Sequence, residues 1–158
     1  ATDMLRVQSI GRQTGNIPCA LARGTKGGGR PGRDEMGAIH EIRLTNNYEP
    51  YPPLAEFGYG KDGTEIFNYW DDNYPVTFSD PQVKSILLRR DGKARLLLAT
   101  WNGEAGTVTM RPDAKKLGFK VAKATDVREG KDLAIDRQGA ITLELEGYGT
   151  RLIDLESE

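Results

Sequence analysis

The sequence predicts a mainly β protein: an antiparallel β-sandwich over residues 68–158, preceded by an irregular N-terminal segment, residues 1–67, with one or two strands. Three observations predict it. After Asn68, short strand-like runs recur about every 8–12 residues with turn residues between them, the spacing of sandwiches and small barrels. Asp91-Gly92 sits between two apolar runs, and Asn102-Gly103, directly after Trp101, is a second such cue; both dipeptides suit turns that need positive φ. The runs Ile86-Leu87-Leu88 and Leu96-Leu97-Leu98-Ala99 are apolar on both faces, as central strands covered on each side would be. One cover would be the N-terminal segment or a neighbouring domain.

Taken in order, Met4 to Ile10 reads as a strand and Gly11 to Arg33 as a long loop holding a short helix around Cys19 to Ala22. Gly37 to Leu44 reads as a second strand. The Pro-Pro pair within Asn46 to Pro53 resists regular structure, and Leu54 to Tyr59 suits one helical turn. Tyr74 to Phe78 is short and β-prone. Gln82 to Leu88 and Ala94 to Trp101 flank the Asp-Gly turn. Ala105 to Met110 alternates, with Val108 and Met110 on one face and Thr107 and Thr109 on the other. Pro112 to Leu117 suits a helical turn opened by Asp113 and stopped by Gly118. Phe119 to Val127 and Asp132 to Arg137 follow as strands, then a Gln138-Gly139 turn. Ala140 to Leu145 alternates with Ile141, Leu143 and Leu145 inward. Gly147-Tyr148-Gly149 reverses the chain, and Thr150 to Leu155 closes it, its buried face ambiguous.

Composition narrows the function. Hydrophobic residues are 37% and charged residues 28%, with a net charge of −1, a globular profile without the basic excess of a nucleic-acid binder. No apolar run approaches the roughly 18 residues of a membrane helix, so no membrane partner is expected. The single cysteine, Cys19, forms no internal disulfide, which fits a reducing compartment without excluding a secreted or periplasmic one. One His and one Cys exclude a His/Cys zinc site within the chain, and no cofactor motif is present. The chain opens on Ala1 rather than Met, so a processed or partial product is expected.

Four constellations are candidates for chemistry. Tyr69-Trp70-Asp71-Asp72 joins flat aromatic faces, which stack on sugar C–H surfaces, to carboxylates that accept hydroxyl hydrogen bonds. The competing reading makes Tyr69 and Trp70 the anchor between the two parts of the chain, and Asp71-Asp72-Asn73 a turn. His40 and Glu41, with Asp34, are the candidate acid/base groups; the alternative is a packed polar pair. No serine stands in a nucleophile elbow. The segment Gly24 to Arg33 has amides and cations for an anion but lacks P-loop spacing, and reads as a connector. Asp34, Glu35, Glu41, Glu49 and Glu56 supply carboxylates, but glycoside hydrolysis needs a pair about 5–10 Å apart, which sequence does not establish.

The stretch from Tyr69 onward resembles the C-terminal β-sandwich of large bacterial glycoside-hydrolase-like proteins of the β-N-acetylgalactosaminidase type. The resemblance rests on Tyr69-Trp70-Asp71-Asp72, Pro75-Val76, the strand with Val83 and Ser85, the basic hairpin Arg89-Arg90-Asp91-Gly92-Lys93, and Leu96 to Asn102. It covers most of residues 36–156. In such proteins the preceding segment closes a (β/α)8 barrel, so the resemblance implies that Met36 to Ile42 is the barrel's last strand and that residues 1–67 are a barrel remnant. A barrel needs about 250 residues; the resemblance therefore implies that the catalytic carboxylates lie upstream and assigns none to this chain. It implies a carbohydrate, and a catalytic barrel domain or another chain, as partners.

Three functions compete on the sequence: an accessory β-sandwich of a carbohydrate-active protein, non-catalytic alone; a small stand-alone glycosidase using Glu41 with His40 or Asp34; and a structural or protein-interaction module.

Overall fold

The computed structural model of the protein describes residues 19–20, 33–40, 43–44 and 51–158. Its elements are β1 (Cys19–Ala20), α1 (Arg33–Ile39), β2 (Arg43–Leu44), α2 (Pro52–Phe57), β3 (Glu65–Asn68), β4 (Val76–Phe78), β5 (Val83–Arg90), β6 (Lys93–Thr100), β7 (Gly106–Pro112), α3 (Ala114–Leu117), β8 (Lys123–Asp126), β9 (Lys131–Asp132), β10 (Ile141–Leu145) and β11 (Thr150–Glu156). A six-stranded antiparallel sheet, β3-β5-β6-β11-β8-β9, faces a three-stranded one, β10-β7-β4. This is a β-sandwich, as the strand spacing predicts.

The β5–β6 hairpin is built as its turn residues dictate. Arg90 pairs with Lys93, and the two residues between them take the left-handed backbone a two-residue turn requires: Asp91 at φ 50° and Gly92 at φ 73°. The hairpin register puts Leu87 opposite Leu96 and Ile86 opposite Leu97. Successive side chains point to opposite faces, so these four leucine and isoleucine residues serve two cores. Leu87, Leu96 and Leu98 meet Val108, Met110, Ile141 and Leu143 between the sheets. Ile86, Leu88, Leu97, Ala99 and Leu152 lie on the outer face and pack against Ile39 of α1 and Leu54 of α2. Burial of each such side chain stabilises by about 1.5–3 kcal/mol, and neither layer alone accounts for the apolar runs. The N-terminal segment thus supplies the second cover. The same geometry resolves the ambiguous last strand: Leu152 faces the helices and Ile153 the facing sheet.

Polar contacts fasten the helices to that outer face. Arg95 of β6 sits opposite Asp154 of β11 and donates two hydrogen bonds to its carboxylate, both 2.7 Å, while Nη1 donates to the Pro53 carbonyl at 2.8 Å. The guanidinium also stacks over Phe57. Arg128 donates to Glu35 of α1 at 2.6 Å, to the Tyr51 hydroxyl at 2.8 Å and to Thr150 Oγ1 at 2.7 Å. Asp113 caps α3 by accepting from the amides of Lys115 and Lys116, and Gly118 ends it.

Several expected elements differ. Gly37 to Ile39 belongs to helix α1, not to a strand; of the described residues of that run, Arg43–Leu44 is extended. The Met36 to Ile39 part of the expected barrel strand is helical for the same reason. Asp34 and Glu35 favour a helix start, and a helix delivers Ile39 to the sheet face. Cys19–Ala20 is a strand paired parallel with Arg43–Leu44, where a short helix was the expectation. Asn102-Gly103 does not close a hairpin: β6 and β7 lie in different sheets, and the dipeptide carries the chain across. Phe119 to Val127 pairs only over Lys123–Asp126, because its partner β11 ends at Glu156, opposite Lys123. Asp132 to Arg137 reduces to Lys131–Asp132 and a bridge between Ile135 and Ile141. The expected strand Met4 to Ile10, and residues 24–32 of the connector from Gly24 to Arg33, lie outside the described residues. Among the described residues no helix is long and apolar enough to cross a membrane.

Candidate functional site

The aromatic-acid segment follows β3 and is folded by its own acids. Asp71 Oδ2 accepts from the Asn68 amide at 2.9 Å, the Asp71 amide donates to the Asn68 carbonyl, and the Tyr74 amide donates to the Asp71 carbonyl. These successive turns are what Asx side chains favour. Asp71 therefore serves the turn, while Asp72 is exposed and its carbonyl accepts from Lys116 Nζ at 3.0 Å. Tyr74 leads into the core, where its hydroxyl is hydrogen-bonded to Ser85 Oγ; burial holds its pKa well above 10.0, with the Ser85 contact opposing.

Tyr69 and Trp70 lie on the outer side of the six-stranded sheet, beside the end of α1. Their rings meet edge to face, centroids 4.9 Å apart. His40, buried at 2% exposure, fills the space between them and Trp101. It stacks on the Trp101 indole at 5.8 Å and 20°, meets the Tyr69 ring edge-on at 5.6 Å, and lies 6.4 Å from Trp70. Its Nε2 is 3.2 Å from the Tyr69 hydroxyl. Lys84 Nζ stands 5.2 Å from the Tyr69 centroid and 5.9 Å from that of Trp101, and donates to the Pro81 carbonyl at 2.7 Å. Trp70 remains half-buried. The Trp101 indole N–H is buried and has no hydrogen-bond partner among the described residues.

Of the residues singled out from sequence, the structure thus gathers Tyr69, Trp70 and His40. Glu41 and the side chain of Asp34 lie outside the described residues. Lys84 and Trp101 escaped the sequence reading, although a signal existed: two-residue alternation places Lys84 on the face of Ile86 and Leu88, and Trp101 on that of Leu97 and Ala99. Among the described residues, no group of three or more His, Cys, Asp or Glu is placed to hold a metal ion.

Residues 54–134 match the family described as glycoside hydrolase 123, C-terminal domain. The chain belongs to this family. The glycoside hydrolase 123 match begins inside α2, so α1 and His40 precede it. It ends before β10 and β11, yet β11 lies between β6 and β8 in the larger sheet. The family region is thus completed on both sides by chain outside it. No curated protein sequence matches the chain.

Solved structures align with part of the chain at low identity. A maltogenic α-amylase from Thermotoga neapolitana aligns at 14% identity and TM-score 0.44, covering 75% of this chain and 29% of the amylase. A family 27 β-L-arabinopyranosidase from Geobacillus stearothermophilus aligns at 17% and 0.40, covering 52% and 19%. The α-galactosidase I from Mortierella vinacea aligns at 15% and 0.37, covering 56% and 26%. The chain spans under a third of each of these enzymes.

Proposed function

We propose that this chain is the accessory C-terminal portion of a glycoside-hydrolase-like protein, non-catalytic alone, which anchors chain leading from a catalytic barrel and offers glycan a contact at Trp70. The observation behind it is the second core. The outer face of the larger sheet holds α1, which precedes the family region, through Ile39, His40 and the Glu35–Arg128 ion pair. A segment gripped by apolar burial, ring stacking and an ion pair transmits a fixed orientation to whatever leads into it. The half-buried Trp70 at the rim of that grip supports the glycan contact, with Tyr69 and Asp71 shaping its loop and Asp72 exposed beside it.

An assay of the chain on 4-nitrophenyl N-acetyl-β-D-galactosaminide tests the first part. The expected result is no turnover above the uncatalysed rate. Turnover abolished by Glu41→Gln would replace this reading with a stand-alone glycosidase. Affinity electrophoresis through galactan-containing gels tests the second: retardation weakened by Trp70→Ala is expected, and retardation indifferent to it would remove the contact.

A further inference from the structure

Resting on the glycan contact at Trp70, we propose that the saccharide bound there is acidic, and that the Lys84 ammonium receives its carboxylate or sulfate group. Lys84 projects from the outer face of β5 into the aromatic cluster. Its ammonium is fixed by the Pro81 carbonyl and by the rings of Tyr69 and Trp101. Ring quadrupoles attract a cation but bring no negative charge. Other partly buried cations of the larger sheet and its loops have a carboxylate: Arg89 has Glu65, Arg95 has Asp154 and Arg128 has Glu35. Lys84 forms no ion pair among the described residues. A positive charge already held in place, with no counter-charge among the described residues, gains a charge-assisted hydrogen bond from an incoming anion at little further loss of side-chain freedom.

Two further features agree. The Trp101 indole N–H, in the same cluster, is a buried donor lacking an acceptor among the described residues. The cation also stands over the Tyr69 and Trp101 rings, which leaves Trp70 as the stacking platform. Trp70 lies 4.9 Å from Tyr69 and Lys84 Nζ 5.2 Å from Tyr69, so the two are within about 10 Å, a span a disaccharide bridges. Asp71, in the loop that carries Trp70, accepts from the Asn68 amide.

Affinity electrophoresis of the whole chain through neutral galactan, sulfated galactan and polygalacturonate separates the cases. Lys84→Gln keeps the stem and removes the charge; Lys61→Ala, on an exposed loop, controls for general attraction to polyanions. Circular dichroism confirms that both variants are folded. The expected result is that one acidic polymer retards the protein, that Lys84→Gln weakens this by about tenfold, and that Lys61→Ala does not. The polymer retained identifies the group as carboxylate or sulfate. Equal retardation of Lys84→Gln and wild type, or an equal loss in Lys61→Ala, overturns the inference. Retardation by neutral galactan alone, lost in Trp70→Ala, overturns it while the glycan contact stands. No retardation by any polymer removes both.

Discussion

The imidazole of His40 lies parallel to the indole of Trp101 within 20°, centroids 5.8 Å apart, and so joins the end of α1 to the residue that follows β6. The contact is closed on its other side by the Tyr69 hydroxyl, 3.2 Å from Nε2. A buried ring that touches three aromatics is a packing element as well as a polar one. His40→Ala removes the ring and its contact with the Tyr69 hydroxyl. The expected cost is about 2–4 kcal/mol, by analogy with other large-to-small core changes and lost hydrogen bonds. Urea denaturation measures it, and a shift in tryptophan fluorescence is expected because Trp101 loses its stacking partner. A cost under about 0.5 kcal/mol, the range of ordinary surface substitutions, would show that α1 is not anchored there.

The Arg95–Asp154 pair makes a different prediction because both groups are largely buried, with side-chain exposures of 13% and 24%. Arg95→Met leaves the Asp154 carboxylate without its cation and frees the Pro53 carbonyl. The expected loss is about 2–3 kcal/mol, between that of exposed and fully buried pairs. The double variant Arg95→Met with Asp154→Leu should recover most of it, since apolar residues suit a face already lined by Leu97 and Phe57. Thermal melts of the two variants check this, and a double variant no more stable than the single would refute it.

The fold was legible where its signals are local. Asp91-Gly92 announces its hairpin because the turn and both strands are contiguous, and Ala140 to Leu145 announces its buried face by alternation. Asn102-Gly103 shows the limit of the same signal. A turn dipeptide specifies a reversal of direction, not the sheet that the next strand joins. Helix α1 was hidden because its seven residues are too few to establish a 3.6-residue period. Its reason for being a helix, the cover it gives to Leu97 and Leu152, is far away in sequence. The site divides likewise. Tyr69 and Trp70 stand out as neighbours, whereas their meeting with His40, Lys84 and Trp101 follows from sheet pairing that no single stretch encodes.

Gly147 is a position where shape alone decides. A Cβ there would lie 2.0 Å from the Gly103 carbonyl oxygen and 2.6 Å from its carbon, both backbone atoms that cannot rotate away. The two loops that meet here are tied by the Tyr148 amide donating to the Asn102 carbonyl at 2.7 Å. Gly147→Ala should therefore cost at least about 1–3 kcal/mol, as forced overpacking does. Gly106→Ala, where a Cβ meets nothing within 4 Å, is the matched control and should stay within about 1 kcal/mol of wild type. Equal melting temperatures for the two variants would contradict the close approach of these loops.

Tyr74 predicts an alkaline limit to stability. Burial is the main reason its hydroxyl ionises only well above 10.0, with the hydrogen bond between it and Ser85 pulling the other way. A proton held more tightly in the folded state than in the unfolded chain makes stability fall with pH between the two values. The contribution of Tyr74 is thus complete below about pH 10 and declines as pH rises through the raised value. Urea denaturation at pH values on either side of 10 should show this decline in the wild type. Tyr74→Phe should flatten it, at a cost near neutral pH of about 1–3 kcal/mol for the Ser85 hydroxyl left buried without its partner. Tyr51, also raised by burial and then by the charge of Glu35, leaves a residual slope in that variant. An unchanged decline in Tyr74→Phe would place the alkaline weakness on Tyr51 and the α1 contact instead.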